Sequence, residues 1–190
     1  MEDVESFTKL FARVRAGEQD AMTKLHDDYG EQIQRIVGLK MARFGMRHQL
    51  ESLDICQSVW NTFFVRTALG AVELETPAKL VALLAEMAKN RCLHHKRKAN
   101  TAKRYGQMVN IDDVDAVGPD QTPSQIAIAR EMCEKAASLL SNEERQLVEQ
   151  RKEGRTWEEV AANQQANGDT LRMHHRRVVE RIEKELDLKS

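Results

Sequence analysis

The stretch GRTWEEVAANQQANGDTLRMHHRRVVERI, residues 154–182, predicts a short helix, a turn and a longer basic helix. One side of the second helix has the three- and four-residue spacing of a packed face, with Leu171, His175, Val178, Ile182 and Leu186. Four side chains point elsewhere, namely Arg172, Met173, Arg176 and Arg177. The pair is typical of a helix-turn-helix, in which arginines of the second helix can pair with guanine edges in the major groove. Any helical hairpin with a basic second helix has the same pattern, so both interpretations stay open on this stretch alone.

The composition of the whole chain sets a second constraint. Its 190 residues include 29 Lys+Arg and 30 Asp+Glu, which gives a net charge of −1. A chain without net positive charge is poorly suited to bind DNA alone, because phosphate neutralisation supplies much of the affinity. Aromatic residues make up only 5%, and glycines and prolines are few, which favours long helices over sheets. We therefore expect an all-α protein.

Residues 5–104 are predicted to form one helical domain. Its first two helices follow from apolar residues at helical spacing: Phe7, Leu10, Phe11 and Val14, then Met22, Leu25, Tyr29, Ile33, Ile36 and Val37. We expect a polar loop over 45–52, a third helix from Asp54, and a fourth helix that starts at Thr76 and Pro77. A hydroxyl followed by proline is a strong start signal, because the hydroxyl caps the helix and proline suits its first position.

The composition changes after this domain. Residues 110–124 contain four aspartates, one glycine and two prolines but no basic residue, so they cannot bury a core. We place an acidic linker at 105–124 and a second domain, of four helices, at 125–190. Ser141 with Glu144, and Thr156 with Glu159, have the spacing of capping boxes at two of its helix starts. Trp60 and Trp157 are expected to anchor the cores of the two domains.

A second basic segment lies at 89–104, where seven Lys/Arg and two histidines continue the fourth helix without any acidic residue. Such a density of charge can neutralise several phosphates without reading sequence. Cations also stabilise a solvated helix C-terminus, so the segment by itself is open to either interpretation.

Other functions find no support in the residues. Cys92 and His95 share a helix face, but no second ligand pair follows at zinc-like spacing, so no metal or other cofactor is expected. No nucleophile or phosphate-loop motif points to an enzyme. No apolar run is long enough to span a membrane, and the acidic N-terminus lacks a signal core. Together with three scattered cysteines, these features predict a cytoplasmic location.

Four segments, in this order, resemble the extracytoplasmic-function (ECF) sigma factors, which are promoter-recognition subunits of bacterial RNA polymerase. Residues 13–37 are similar to the family's opening helices, and LDICQSVWNTFFVRT at 53–67 is similar to its Asp-Leu-Val-Gln helix. LVALLAEMAKNRCLHHKRK at 80–98 is similar to its basic helix, and 140–186 follow its terminal helix-turn-helix module. The resemblance covers about residues 5–187. It implies a sigma factor without catalytic chemistry of its own, whose partners are core RNA polymerase, promoter DNA and an anti-sigma protein.

The resemblance also implies three sets of binding residues. The helix that docks on the polymerase clamp corresponds to Asp54, Ile55 and Gln57. The basic helix that, with the loop before it, melts the promoter and holds the single-stranded −10 element corresponds to Asn90, Arg91, His94, Lys96 and Arg97. The last helix, which reads the −35 element in duplex DNA, corresponds to Thr170, Arg172, Met173, Arg176 and Arg177. Delivery by polymerase explains how a chain with no net positive charge carries a DNA-reading element.

The chain departs from the family pattern at three places. These are Gln165-Ala166-Asn167 in place of Gly-Ile-Ser in the turn, Ser58 in place of a glutamate, and His94-His95 where an aspartate is common. A left-handed residue other than glycine would cost about 1 kcal/mol in the turn, unless the turn shifts towards Gly168. Two alternatives stay open. One is a stand-alone helix-turn-helix regulator with a helical dimerisation domain, and the other is a sigma-like decoy that binds polymerase or an anti-sigma protein without melting DNA.

Overall fold

The computed structural model describes residues 2–46, 49–104, 122–164 and 166–188. Within these ranges the chain is all-α, as predicted. The helices are, in order, α1 (Glu2–Arg15), α2 (Gln19–Arg43), α3 (Gln49–Ala68), α4 (Pro77–Arg104), α5 (Thr122–Ser138), α6 (Asn142–Lys152), α7 (Trp157–Gln164) and α8 (Gly168–Glu185). None of these helices combines the length and the apolarity that a membrane span requires.

Three helix starts predicted from the sequence have the expected capping contacts. The hydroxyl of Thr76 accepts a hydrogen bond from a backbone amide in the first turn of α4. Ser141 and Glu144 exchange hydrogen bonds with each other's backbone amides before α6, at 3.2 and 2.9 Å. Thr156 and Glu159 do the same before α7, at 3.3 and 2.8 Å. These bonds satisfy amides that a helix start leaves without partners, so local sequence determines where these helices begin.

Helix α3 begins earlier than predicted. It starts at Gln49 and not at Asp54, so the predicted loop over 45–52 is helical from Gln49 onwards. This stretch has few apolar residues, so it does not show the apolar periodicity by which a helix is recognised. It is helical because glutamine, leucine and glutamate are all good helix formers. The described part of the connection is a turn at residues 44–46, where Gly45 has a φ of 74°.

Helix α5 begins at Thr122, so the last three residues assigned to the acidic linker are helical. Pro123 is compatible with this start, because the amide that proline lacks has no intrahelical partner in a first turn. The rest of the predicted linker, 105–121, lies outside the described residues. The linker therefore stays a prediction.

The buried apolar residues form two clusters that share helix α3. The larger joins α1–α4, and Ile126 and Ala129 of α5 pack into it. Trp60 lies in this cluster, as predicted, 5.8 Å from the ring of Phe63 and 5.6 Å from that of Phe64. The smaller cluster joins α3 to α5, α6 and α8, through Val65, Leu69, Ala136, Leu140, Val148, Val178, Val179, Ile182, Leu186 and Leu188. Helices α5, α6 and α8 thus pack directly on α1–α4, and the separation of the chain into two domains stays a prediction.

Candidate nucleic-acid interface

The helix pair α7–α8 has one face turned inward and another turned to solvent, as the sequence predicted. On the inner face of α8, His175, Val178 and Ile182 are buried. The side chains predicted to read duplex DNA are all exposed: Thr170, Arg172, Met173, Arg176 and Arg177. Met173 is 43% exposed, which is unusual for a large apolar side chain and useful for apolar contact with a base.

The arginines on the outer face of α8 have only weak partners. Arg172 lies 3.5 Å from Asp169, and Arg176 lies 3.0 Å from Glu180. Their side chains are 61% and 70% exposed, respectively. Because exposed ion pairs within one helix contribute little, these guanidinium groups can exchange their carboxylates for DNA at small cost.

The turn before α8 does not use a left-handed residue among its described positions. Asn167, with a φ of −90°, caps the helix, and its Oδ1 accepts hydrogen bonds from the amides of Asp169 and Thr170 at 2.9 and 3.3 Å. Gly168 is the first helical residue and does not have a positive φ. Of the two alternatives for this turn, a shift that places Gly168 in the left-handed conformation does not occur. A Cβ atom at Gly168 would lie 3.3 Å from the carbonyl oxygen of Trp157, so glycine here permits close packing. Gln165 lies outside the described residues.

An aromatic and arginine cluster supports α8 from beneath. The guanidinium of Arg151 lies 4.3 Å from the ring centroid of Trp157, and that ring lies 5.4 Å from the ring of His175. The imidazole of His175 donates from Nε2 to the backbone carbonyl of Leu69, at 2.7 Å. Burial lowers the pKa of His175, and the charge of Arg151 acts in the same direction, so the neutral imidazole is the donor.

The predicted −10 residues occupy the second half of α4, and they are not equally accessible. Asn90, Lys96 and Arg97 are exposed, and His94 is half-buried. Arg91 is only 7% exposed, and its Nη2 donates to the carbonyl oxygen of Leu188 at 3.1 Å. The C-terminal end of the described chain thus covers Arg91 in this arrangement of the helices, and its contact with DNA stays a prediction.

A cavity of about 300 Å³ lies between α3, α4 and α8. Its lining combines residues of α4 that were predicted to bind the −10 element with two carboxylates of α8: Asn90, Arg91, His94 and Arg97 on one side, and Glu180 and Glu183 on the other. Burial lowers the pKa of Arg91, while the negative charges of Asp187 and Glu183 oppose that shift. The cavity thus brings acidic groups of α8 to a surface predicted to bind nucleic acid.

The predicted polymerase-docking residues lie on different faces of α3. Asp54 is exposed and Gln57 is half-buried, whereas Ile55 is completely buried in the larger apolar cluster. Ile55 points into the core and not towards solvent, because neighbouring helical residues point about 100° apart, and its part in docking stays a prediction. Its contribution is to hold α3 in place beneath Asp54.

Among the described residues, one set of five polar contacts joins α6, α8 and the residues after α8 to residues 15–91, and none of the five was predicted from the sequence; a bond from Arg130 of α5 to Gln19 of α2 lies apart from them. We call this set the seam: Arg15 to the carbonyl of Lys152, Arg66 to Glu183, Leu69 to His175, Glu73 to Arg151, and Arg91 to the carbonyl of Leu188. Arg151 is 6% exposed and Glu183 is 3% exposed. The charge of Arg151 and of Glu183 gives no local sign in the sequence that these residues are buried.

The cysteines do not form a metal centre in the described ranges. Cys92 is fully buried in the apolar core. Burial raises the pKa of Cys56 and of Cys133 to about 12, so both thiols stay protonated at neutral pH. No group of three or more potential ligand side chains that could hold a metal ion occurs among the described residues.

Comparison with models of protein families identifies the family to which the chain belongs. The sequence model of the ECF sigma factor family matches residues 4–187, which include α2–α8 and most of α1. The comparison with curated proteins found no match.

Proposed function

Because the chain belongs to the ECF sigma factor family and so directs RNA polymerase, we propose that it selects specific promoters and melts their DNA. Core polymerase and promoter DNA are its partners in this role. An anti-sigma protein is the third partner that we propose.

The outer face of α8 is the observation that carries the proposal. It presents two arginines whose ion pairs are exposed and weak, beside Met173, and its opposite face is anchored in the apolar core. A rigid helix with solvent-exposed arginines is suited to reading guanine edges in the major groove. We assign to it the recognition of the upstream, double-stranded promoter element.

The second half of α4 supports the strand-opening role. Lys96, Arg97 and Lys98 are consecutive exposed cations, and His94 lies one turn before Lys98. Cations at helical spacing can follow a single-stranded backbone, where charge and stacking dominate over base-edge reading. The chain would thus have two DNA-binding surfaces, one for duplex and one for a single strand, although its net charge is −1.

Docking on polymerase is assigned to the exposed side of α3 around Asp54. Its carboxylate is solvent-exposed, and Gln57 lies three residues on, on a neighbouring part of the helix surface. Ile55 supports this surface from within the core.

Transcription in vitro with bacterial core polymerase on a fragmented genomic library tests the proposal. We expect discrete transcripts that appear only when the chain is added and that share an upstream and a downstream promoter element. A chain that binds core polymerase but yields no transcripts is a decoy. A chain that binds a palindromic duplex as a dimer, without polymerase, is a stand-alone regulator.

A further inference from the structure

The end of α2 lies beside the strand-opening surface of α4, and none of the site residues predicted from the sequence belongs to it. On the basis of the proposed function, we propose that Phe44, the residue that follows α2, is a stacking platform for one unpaired base of the single strand. Lys40 and Arg43 of α2 bind the phosphates on either side of that base, together with Lys96 of α4. We call these four residues the stacking patch.

Helices α2 and α4 run side by side in the same direction at this end. The ammonium of Lys96 lies over the ring of Phe44, 5.8 Å from its centroid. One turn earlier on both helices, burial raises the pKa of the Cys92 thiol, and the nearby charge of Lys40 acts in the opposite direction. Lys40 precedes Phe44 by four residues, and Cys92 precedes Lys96 by four, so the two helices stay in step. The end of α2 therefore borders the α4 cations directly.

The cations at this end lack the carboxylate partners that cations earlier on the same two helices have. Arg35 of α2 pairs with Glu31, and Lys89 of α4 pairs with Glu86. Within the described ranges, no ion pair with a carboxylate is formed by Lys40, Arg43, Lys96, Arg97 or Lys98. Unpaired cations on one surface favour a polyanion, because a phosphate backbone neutralises them and releases its own counterions.

The ring of Phe44 is held on one side and accessible on another. Its backbone amide donates to the carbonyl oxygens of Lys40 and Met41, at 3.1 and 3.0 Å, and so caps α2. The half-buried ring packs against the larger apolar cluster, while its face meets the ammonium of Lys96. A Cβ atom at Gly45 would meet nothing within 4 Å, so the turn after the ring borders open space. A ring that is already fixed can stack on a base at little cost in conformational freedom.

The aromatic ring among the cations favours a single strand over other acidic partners. Phosphates or carboxylates require only the cations, whereas a ring at their centre also contacts bases, a combination typical of surfaces that bind single strands. Bases of an intact duplex are stacked on each other and do not reach such a ring. The contact of Lys96 with Phe44 is a weak cation–π interaction at an exposed site, so a base can replace the ammonium on the ring. The ammonium then binds the adjacent phosphate.

Two full-length variants separate stacking from charge. Phe44→Leu removes the ring but keeps an apolar side chain, whereas Lys40→Gln combined with Arg43→Gln removes two charges but keeps the ring. Fluorescence anisotropy measures affinity for labelled oligo-dT and for an abasic oligonucleotide of equal length, over a range of salt concentrations. Phe44→Leu should weaken oligo-dT binding about tenfold, with an unchanged salt slope and unchanged abasic binding. The double variant should weaken both and lower the slope of log affinity against log salt by about 1 to 1.5.

The matched controls also lie on α2. Leu39→Ala alters an apolar side chain that is 72% exposed, and Arg35→Gln removes an arginine that pairs with Glu31. Neither change should alter the affinity for oligo-dT. Phe44→Trp keeps an aromatic ring at the platform, so it should bind oligo-dT at least as tightly as the unmodified chain. This variant distinguishes a loss of stacking from a disturbed fold in Phe44→Leu.

The stacking patch is excluded as a single-strand site if Phe44→Leu binds oligo-dT like the unmodified chain, or if it loses equal affinity for the abasic oligonucleotide. The site is also excluded if the unmodified chain binds no oligo-dT, both alone and in complex with core polymerase. A loss of affinity for core polymerase in Phe44→Leu, with unchanged single-strand affinity, would assign the patch to an acidic surface of polymerase. Failure of the unmodified chain to support transcription with core polymerase would overturn the proposed function instead.

Discussion

His175 of α8 donates from Nε2 to the carbonyl oxygen of Leu69 at the end of α3, across 2.7 Å and 106 residues of sequence. The imidazole packs beside Trp157, and the charge of Arg151 opposes its protonation. The bond joins the helix proposed to read duplex DNA to the connection that precedes the helix proposed to open it.

The pH dependence of stability should report this histidine. Burial lowers the pKa of His175 in the folded chain below its ordinary value of 6.5. As the pH falls through 6.5, the unfolded chain therefore takes up a proton that the folded chain does not, and the free energy of unfolding decreases until the lower folded pKa is reached. We expect His175→Gln to lose less stability than the unmodified chain between about pH 7.5 and about pH 5, as measured by urea unfolding.

A matched control is His174→Gln, which changes an exposed neighbour on the same helix. Burial also lowers the pKa of His26. The free energy of unfolding should therefore keep some dependence on pH in the unmodified chain and in both variants. Identical pH profiles for His175→Gln and the unmodified chain would contradict the prediction.

The cap of α8 should be measurable by itself. Asn167→Ala removes the oxygen that accepts from two backbone amides at the start of the helix, so the free energy of unfolding should fall by about 1 kcal/mol. Asn163→Ala, at an exposed site within α7, serves as the control and should have little effect. Chemical denaturation measures the free energy of unfolding of both variants. Equal losses of this free energy would mean that the cap does not stabilise α8.

Docking on polymerase should depend on Asp54. Asp54→Ala removes an exposed carboxylate without disturbing the core, so affinity for core polymerase should fall while the unfolding transition stays in place. Glu31→Ala on α2 is the control, because it removes another exposed carboxylate, which pairs with Arg35 one turn away. Competition binding to core polymerase measures both, and an unchanged affinity for Asp54→Ala excludes this docking surface.

Strand opening should depend on the exposed cations of α4. Changing Lys96 and Arg97 to alanine should impair open-complex formation on every promoter. It should also reduce the slope of log affinity against log salt by about 1 to 1.5, since two phosphate contacts are lost. A template with a preformed bubble should recover much of the activity. Lys79→Ala, in the first turn of the same helix, is the control. Equal defects on duplex and bubble templates would argue against a role in melting.

Promoter reading should depend on the outer face of α8. Arg172→Ala or Arg176→Ala should cost about 1–3 kcal/mol on the preferred upstream element and much less on a scrambled element. A bubble template should not restore that discrimination. Lys184→Ala, an exposed cation in the last turn of α8, is the control. If the variants lose equal binding free energy on the preferred and on the scrambled element, the arginines bind the DNA backbone and do not read bases.

Features that depend on neighbours in the sequence could be predicted from it. The capping boxes of Ser141 with Glu144 and of Thr156 with Glu159 involve residues three apart, so their spacing is enough to identify them. The same holds for the two faces of α8, because helical periodicity alone separates Val178 and Ile182 from Arg172 and Arg176. Order and spacing of such segments were also enough to indicate the family.

The tertiary structure alone decided which of the candidate site residues are accessible. Arginine is a residue type that often contacts nucleic acid. Arg91 is nevertheless buried, because Leu188, 97 residues later in the chain, packs against it. Ile55 and Asp54 are neighbours in sequence, but the packing of α3 sends one into the core and the other to solvent. Arg66 meets Glu183 across 117 residues, a contact set by how α8 packs on α3. Hydrogen bonds within a turn are encoded locally, whereas burial of a charge depends on which distant helix supplies its partner.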